Sequence, residues 1–258
     1  MIQQVYFRVS DSVSTKPYNP GAKKVGFLDD DPEFTLCEVN PNHKLILNKF
    51  CWVRPQMILH TKDFQHQTDA LTLTDLEAAL DVLNQLGDRY LVIFNGGPDA
   101  GSSVSHKHMQ IFLKPDWKMV ADEIAQGTTD GEQYIYGCIT KADPIASLPF
   151  QYRLTKLPTS RSPDVAYEFY KAMCAEMHIA SGRAHGMLLT KEWIMVVPRT
   201  TANIAGEIEN APLQGGANAM IGMLWLKSQA QLENWKQYGP MKALRDFGVA
   251  VDAQTNGI

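Results

Sequence analysis

Two spacings of apolar residues alternate along the chain. Residues 44–48 and 56–61 are short apolar runs on either side of Pro55, and each predicts a strand. The spacing then changes. Leu76, Ala79, Leu80, Leu83 and Leu86 recur at three and four residues, which puts them on one helical face. Thr74-Asp75-Leu76-Glu77 reads as a capping box for that helix, and Gly87 as its stop. Residues 90–94 are apolar throughout and predict a third strand. A Gly- and Ser-rich loop leads from it into a fourth extended segment around residues 106–112. Residues 114–132 are polar, with Gly, Thr and Asp over 127–131, and predict a surface excursion. Residues 134–140 and 151–157 are further strand candidates. Ser162-Pro163 opens a second helix, with Ala166, Phe169, Met173 and Met177 inward and Gly182 closing it. Residues 186–190 and 193–197 predict a hairpin turning at Lys191-Glu192, and residues 218–238 predict a helix through Met220, Met223, Leu224 and Leu226. The first 33 residues have little periodicity and read as an irregular arm bearing Lys16, Lys23 and Lys24.

This succession predicts an α+β fold, with helices laid on a mainly antiparallel sheet. Two parts are expected, residues 1–150 and 151–258, integrated into one globular unit. Met57-Ile58-Leu59-His60-Thr61-Lys62 is echoed in Met187-Leu188-Leu189-Thr190-Lys191, so the second half reads as a diverged copy of the first that lacks its paired histidines.

Composition narrows the functional classes. At 258 residues, 45% hydrophobic and 20% charged, the chain has the profile of a globular enzyme. The net charge of −4 offers no global basic field for nucleic acid, so a polyanionic substrate needs local positive charge. No apolar run is long enough to span a bilayer, and the N-terminus lacks the pattern of a secretory signal. Cys37, Cys51, Cys138 and Cys174 are scattered, which argues against a disulfide framework or zinc ribbon and for a reducing, cytoplasmic location.

The chemistry concentrates in Phe94-Asn-Gly-Gly-Pro-Asp-Ala-Gly-Ser-Ser-Val-Ser-His-Lys-His-Met-Gln-Ile-Phe112. In a strand, His106, His108 and Gln110 share one face and Lys107, Met109 and Ile111 the other. The loop ahead of them can supply backbone N–H groups, and Ser102 and Ser103 can supply hydroxyls. Asn95, Gly101, Ser102 and Ser103 are therefore read as a phosphate cradle, because glycine permits close backbone approach. A lone strand histidine is more often core or surface filler; His-x-His-x-Gln behind such a loop is a more specific pattern. The histidine pair could also be half of a metal site, but no carboxylate or cysteine lies nearby to complete it, so no protein-bound metal is expected.

Those residues resemble the histidine-triad superfamily, in the branch where Gln replaces the last histidine. Within it the chain is most similar to the ATP adenylyltransferase (diadenosine tetraphosphate phosphorylase) family. Residues 45–50, 64–67, 188–193, Val197-Pro198-Arg199, 221–224 and Lys227 carry the likeness onward. The chain looks shorter than fungal members, its N-terminal proline segment differs, and Gln56 stands where many relatives have His. The resemblance implies a histidine-triad-like sheet and makes His108 the nucleophile. A neutral imidazole, ordinary pKa about 6.5, can attack an α-phosphorus and hold AMP as a phosphoramidate. It further implies that Gln110 donates to a phosphoryl oxygen and His106 contacts the same phosphate. Asn48 then meets the ribose and Lys227 the distal phosphates. The expected partners are diadenosine polyphosphates, ATP, ADP and phosphate, with neither nucleic acid nor membrane. A divalent cation, Mg²⁺ first, arrives on the substrate phosphates, and no organic cofactor is implied. A sugar-1-phosphate nucleotidylyltransferase or phosphorylase and a catalytically silent nucleotide sensor are the competing readings. Base selectivity, preferred acceptor and oligomeric state are left open.

Overall fold

The computed structural model describes residues 5–9, 26–27, 32–127 and 148–251. The chain enters as strand β1 (Tyr6–Val9), inside the arm expected to be irregular. Strands β2 (Thr35–Asn40), β3 (His43–Leu47) and β4 (Gln56–Thr61) follow, then helix α1 (Leu73–Leu86). Its capping box begins two residues before the expected Thr74. Thr72 accepts the Asp75 N–H, and the Asp75 carboxylate accepts the Thr72 N–H at 2.7 Å. Gly87, at φ +89°, stops the helix as expected. Strands β5 (Tyr90–Gly96) and β6 (His108–Leu113) flank the Gly/Ser loop.

The expected surface excursion is instead partly structural. Helix α2 (Val120–Gly127) packs Ala121 and Ala125 into the core, with Met119 just ahead of it, and Asp122 accepts the indole N–H of Trp193 at 2.9 Å. Small alanines give little periodic signal, which is why this helix escapes the sequence pattern. The candidate strand at 134–140 and Lys16, Lys23 and Lys24 lie outside the described residues. Strand β7 (Arg153–Lys156) leads to helix α3 (Pro163–Glu176), whose inward side is Ala166, Tyr170 and Met173. Phe169, expected inward, is half-buried. Strands β8 (His185–Leu189) and β9 (Trp193–Pro198) form the expected hairpin, and β10 (Asn203–Ile204) pairs with β11 (Leu213–Gln214).

The expected helix over 218–238 is broken into three. A single turn of helix, α4 (Ala217–Met220), gives way to strand β12 (Met223–Leu226) and then helix α5 (Gln229–Tyr238). Gly222, at φ +88°, makes the break, and β12 pairs in parallel with β1 through Tyr6↔Met223. A distant partner decides this element, and local spacing cannot report it. Helix α6 (Pro240–Phe247) completes the described chain.

Strands β2-β3-β4-β6-β5-β8-β9-β7 form one eight-stranded sheet in which every neighbouring pair is antiparallel. The α+β expectation with a mainly antiparallel sheet therefore holds. Hydrophobic cores cover both faces. One joins α1 and α3 to Met109, Ile111 and Leu189; the other joins α2, α5 and α6 to Phe112, Leu188 and Trp193. Leu76, Leu80 and Leu83 of α1 are almost fully buried, each worth about 1.5–3 kcal/mol. The β5–β8 pairing, with Val92 opposite Leu189, carries the sheet from one half of the sequence into the other. Among the described residues, no helix is long and apolar enough to cross a membrane.

Candidate active site

Strand alternation sends successive residues of β6 to opposite cores. Met109 and Ile111 face the α1 side; Phe112, in step with His108 and Gln110, faces the other. His108 and Gln110 line a cavity of about 550 Å³ with Asn48, Lys49, Asn95, Gly101, Ser102, Ser103, Gly215 and Lys227 on its wall. Among the described lining residues, Lys49 and Lys227 are charged and none is acidic. That is the local positive charge a polyanion needs in a chain of net charge −4. A larger cavity of about 640 Å³ lies beyond Trp52 and Trp225, which line both, but it contains none of the histidines.

His108 is held at three points. The carboxamide oxygen of Gln67 accepts its backbone N–H at 2.7 Å, and the Gln67 amide donates to its carbonyl at 3.0 Å and to that of Asn95 at 2.8 Å. This buried glutamine clips the ends of β5 and β6 together. The third point is the ring itself: Nδ1 lies 2.8 Å from the carbonyl oxygen of His106. A carbonyl can only accept, so Nδ1 carries a proton, and in the neutral ring the lone pair is then the one on Nε2. That tautomer is the one a nitrogen nucleophile requires.

His106 differs from the expectation. It precedes β6, is fully buried and is absent from the cavity wall. Its Nδ1 accepts the Phe27 N–H at 3.0 Å, and Nε2 lies 2.9 Å from the Thr61 hydroxyl and 3.2 Å from the Asp63 carbonyl. Both ring nitrogens thus have protein partners, and His106 meets His108 through its carbonyl instead of facing the cavity beside it. The cause is local: the chain bridges to His66 here and has not yet entered the regular strand.

The loop expected to be the cradle is held by both halves of the sequence. After β5 the chain makes a 3₁₀ turn, Pro98–Ala100, and reaches Gly101 at φ +101°. A Cβ there would sit 2.8 Å from the Gly216 Cα, so conformation and close approach both demand glycine. Asn95 accepts the Ala217 N–H at 2.8 Å, which ties the start of the loop to α4. Ser102 donates to the Val104 carbonyl at 2.8 Å, so its proton shapes the loop, while Ser103 also stands on the wall. Asn48 accepts the Phe50 N–H at 3.0 Å as its own turn forms. Arg199, 3% exposed, donates to the carbonyls of Ala100 (3.3 Å), Gly215 (2.7 Å), Thr201 (3.0 Å) and Phe247 (3.0 Å). Burial pushes its pKa down to about 9, opposed by Asp99, so it remains a cation at neutral pH beneath the loops it joins.

Behind the strand lies a separate ionic cluster. Lys107 Nζ reaches Asp75 at 2.9 Å and Gln65 at 3.0 Å, and Asp75 also meets His43 at 2.8 Å. Burial raises the Asp75 pKa, but the hydrogen bond from His43 and the charge of Lys107 outweigh it and hold the carboxyl at about 2.

Comparison with known proteins agrees with this geometry. Residues 4–122 match the Ap4A phosphorylase N-terminal domain and residues 146–250 the ATP adenylyltransferase C-terminal domain. Diadenosine 5′,5‴-P1,P4-tetraphosphate phosphorylase 2 of Saccharomyces cerevisiae is 31% identical over 237 residues, covering 81% of this chain and 70% of that protein. The chain belongs to the Ap4A phosphorylase family. Protein APA1 of the same yeast is 34% identical over 193 residues; that match spans 66% of this chain and 58% of that protein. The crystal structure of yeast Ap4A phosphorylase Apa2 in complex with Ap4A superposes with a TM-score of 0.78 at 28% identity, over 96% of this chain and 86% of that one. The Apa2 complex with AMP gives 0.69 at 31% identity, over 88% and 81%. The family resemblance and its fold are thereby confirmed from both ends of the sequence.

Of the Ap4A phosphorylase site residues expected from sequence, His108, Gln110, Asn48, Asn95, Gly101, Ser102, Ser103 and Lys227 converge on one cavity, and His106 stands behind it. Gln67, Arg199, Phe27 and the Gly215-Gly216 doublet were not anticipated as parts of the site. The doublet alone left a signal, since two adjacent glycines before a helix often mark close backbone approach.

Proposed function

We propose that this chain is a diadenosine tetraphosphate phosphorylase working through a covalent AMP–histidine intermediate. The observation that carries the reading is the anchored His108 ring, held in the tautomer with its lone pair on Nε2, at the wall of a cavity whose only charged described residues are lysines. In the first half-reaction Nε2 attacks the α-phosphorus of diadenosine tetraphosphate. A P–N bond forms, the bond from that phosphorus to the bridging oxygen breaks, and ATP leaves with the electron pair. In the second, an oxygen of inorganic phosphate attacks the same phosphorus, the P–N bond breaks and ADP forms. The His108 lone pair is restored, and every step runs equally in reverse.

Two features lower the barriers. ATP is a good leaving group, so no strong general acid is required, and the described cavity wall offers none. Charge gathering on the phosphoryl oxygens is met by a donor fixed in advance, the Gln110 amide, with Ser103 on the same wall. Lys227 and Lys49 take the remaining phosphates, and Asn48 the ribose. A divalent cation, Mg²⁺ by its preference for phosphate oxygens, travels with the substrate and not on protein ligands.

The test is product analysis. Incubated with diadenosine tetraphosphate and phosphate, the protein should release ATP and ADP in equal amounts. Release of a nucleoside monophosphate without phosphate consumption, or turnover only of a nucleotide sugar with hexose 1-phosphate, overturns the assignment.

A further inference from the structure

Gln110 can help the reaction only if it turns its amide nitrogen, not its carbonyl oxygen, toward the phosphoryl group. The two ends of a carboxamide have nearly the same shape, so packing alone does not choose between them. Hydrogen bonding does. The Gln110 oxygen accepts from the Gln56 amide at 2.8 Å, and the Gln56 oxygen accepts from the backbone N–H of Trp52 at 2.8 Å.

The order of this relay is fixed at its far end. A backbone N–H is a donor and nothing else, so Gln56 must turn its oxygen toward Trp52 and its nitrogen toward Gln110. Gln110 must then accept on Oε1, which leaves its NH₂ for the cavity. Gln56 is 2% exposed and does not line the cavity, so it cannot touch substrate itself. It sits on β4 next to β6, where Gln56 is paired with Phe112 and Ile58 with Gln110, so its side chain reaches Gln110 along the shared sheet face.

We infer that Gln56 is a positioning residue: it sets the polarity of the Gln110 carboxamide and so makes that group a donor to the phosphoryl oxygens. The inference rests on the proposed nucleotidyl transfer and adds a residue that no sequence pattern assigned to catalysis. A histidine at this position, like glutamine, can offer an N–H to the Gln110 oxygen and so meets the same requirement.

Three substitutions separate this role from simple packing. Gln56→Met keeps the volume and removes the relay, leaving Gln110 free to turn either way. Gln56→Glu reverses it, because an ionised carboxylate accepts only and draws the Gln110 amide away from the cavity. Gln56→His retains a donor. With diadenosine tetraphosphate as substrate, kcat is expected to fall about tenfold for Met and 100-fold for Glu, and to stay within about threefold for His. KM should change little throughout. As a control within the same protein, Gln110→Met should remove the difference between Gln56→Met and Gln56→Glu.

The order wild type ≥ His > Met > Glu in kcat, erased in the Gln110→Met background, supports the inference. Equal kcat for Met and Glu, or a Met–Glu difference that survives Gln110→Met, overturns it. If the Glu variant does not fold, a Met variant with wild-type kcat is sufficient to overturn it. Should the wild-type protein itself transfer no AMP, the proposed function fails and not the relay alone, so the two failures remain distinct.

Discussion

The two sides of the segment from Lys107 to Gln110 use polar residues to opposite ends. On the α1 face, Lys107 is 2% exposed, and its ammonium is closed by Asp75 and Gln65. On the cavity face, Gln110 accepts from Gln56 and turns its amide to the cavity, and His108 is oriented by the His106 carbonyl with its lone pair on Nε2. The difference is one of saturation. A buried charge that is fully partnered fixes the strand; a polar group held by half of its capacity becomes a directed donor or lone pair. His106 belongs with the first kind despite its sequence position, because both of its ring nitrogens are bound by protein.

Breaking the cavity face should give the largest effect. His108→Ala removes the nucleophile, and turnover should drop by about four orders of magnitude or more with the fold retained, as steady-state kinetics beside a denaturation curve would establish. If the cavity face were a mere binding surface, this variant would keep its rate.

Breaking the opposite face should cost stability first. Asp75→Asn strands the buried Lys107 ammonium and should lower the unfolding free energy by about 3–5 kcal/mol, read as a shift in denaturant midpoint. The wild-type carboxyl, at about 2 against an ordinary 3.8, contributes about 2 kcal/mol that is present above pH 4 and lost as pH falls towards 2. Acid unfolding followed across that window should be less steep in the Asn variant.

The seam between the halves comes next. Gly101→Ala puts a side chain at φ +101° and a Cβ 2.8 Å from Gly216, so a loss of about 1–3 kcal/mol and a slower first half-reaction are expected. Lys227→Ala should give the smallest change, a rise in KM of about tenfold with kcat nearly kept, because a lysine at the cavity rim binds ground and transition states alike. A fall in kcat instead would move Lys227 into the transition state.

What was legible in the sequence follows the range of the forces involved. Helix α1 and strands β4, β5 and β6 could be read because their apolar spacing is local and their stops are glycine or proline. His108, Gln110 and the Gly/Ser loop could be read because they are close in the chain. Strand β12 could not, since it exists by pairing with β1, and helix α2 could not, since its buried face is mostly alanine. The fate of His106 was hidden for a similar reason. Alternation predicts a face for a residue inside a strand, but His106 sits before the strand begins, and Phe27, Thr61 and Asp63 come from elsewhere to claim its ring. Gln67 and Arg199 were silent because a polar residue that clips backbone has no periodic or motif signature.

The central claim concerns one nitrogen atom, and intact-protein mass spectrometry followed by peptide mapping tests it most directly. Exposed to diadenosine tetraphosphate without phosphate, the protein should gain one AMP-sized, acid-labile adduct on His108 and lose it again when phosphate is added. An adduct on another residue, or none in a protein that still turns over its substrate, would contradict the account.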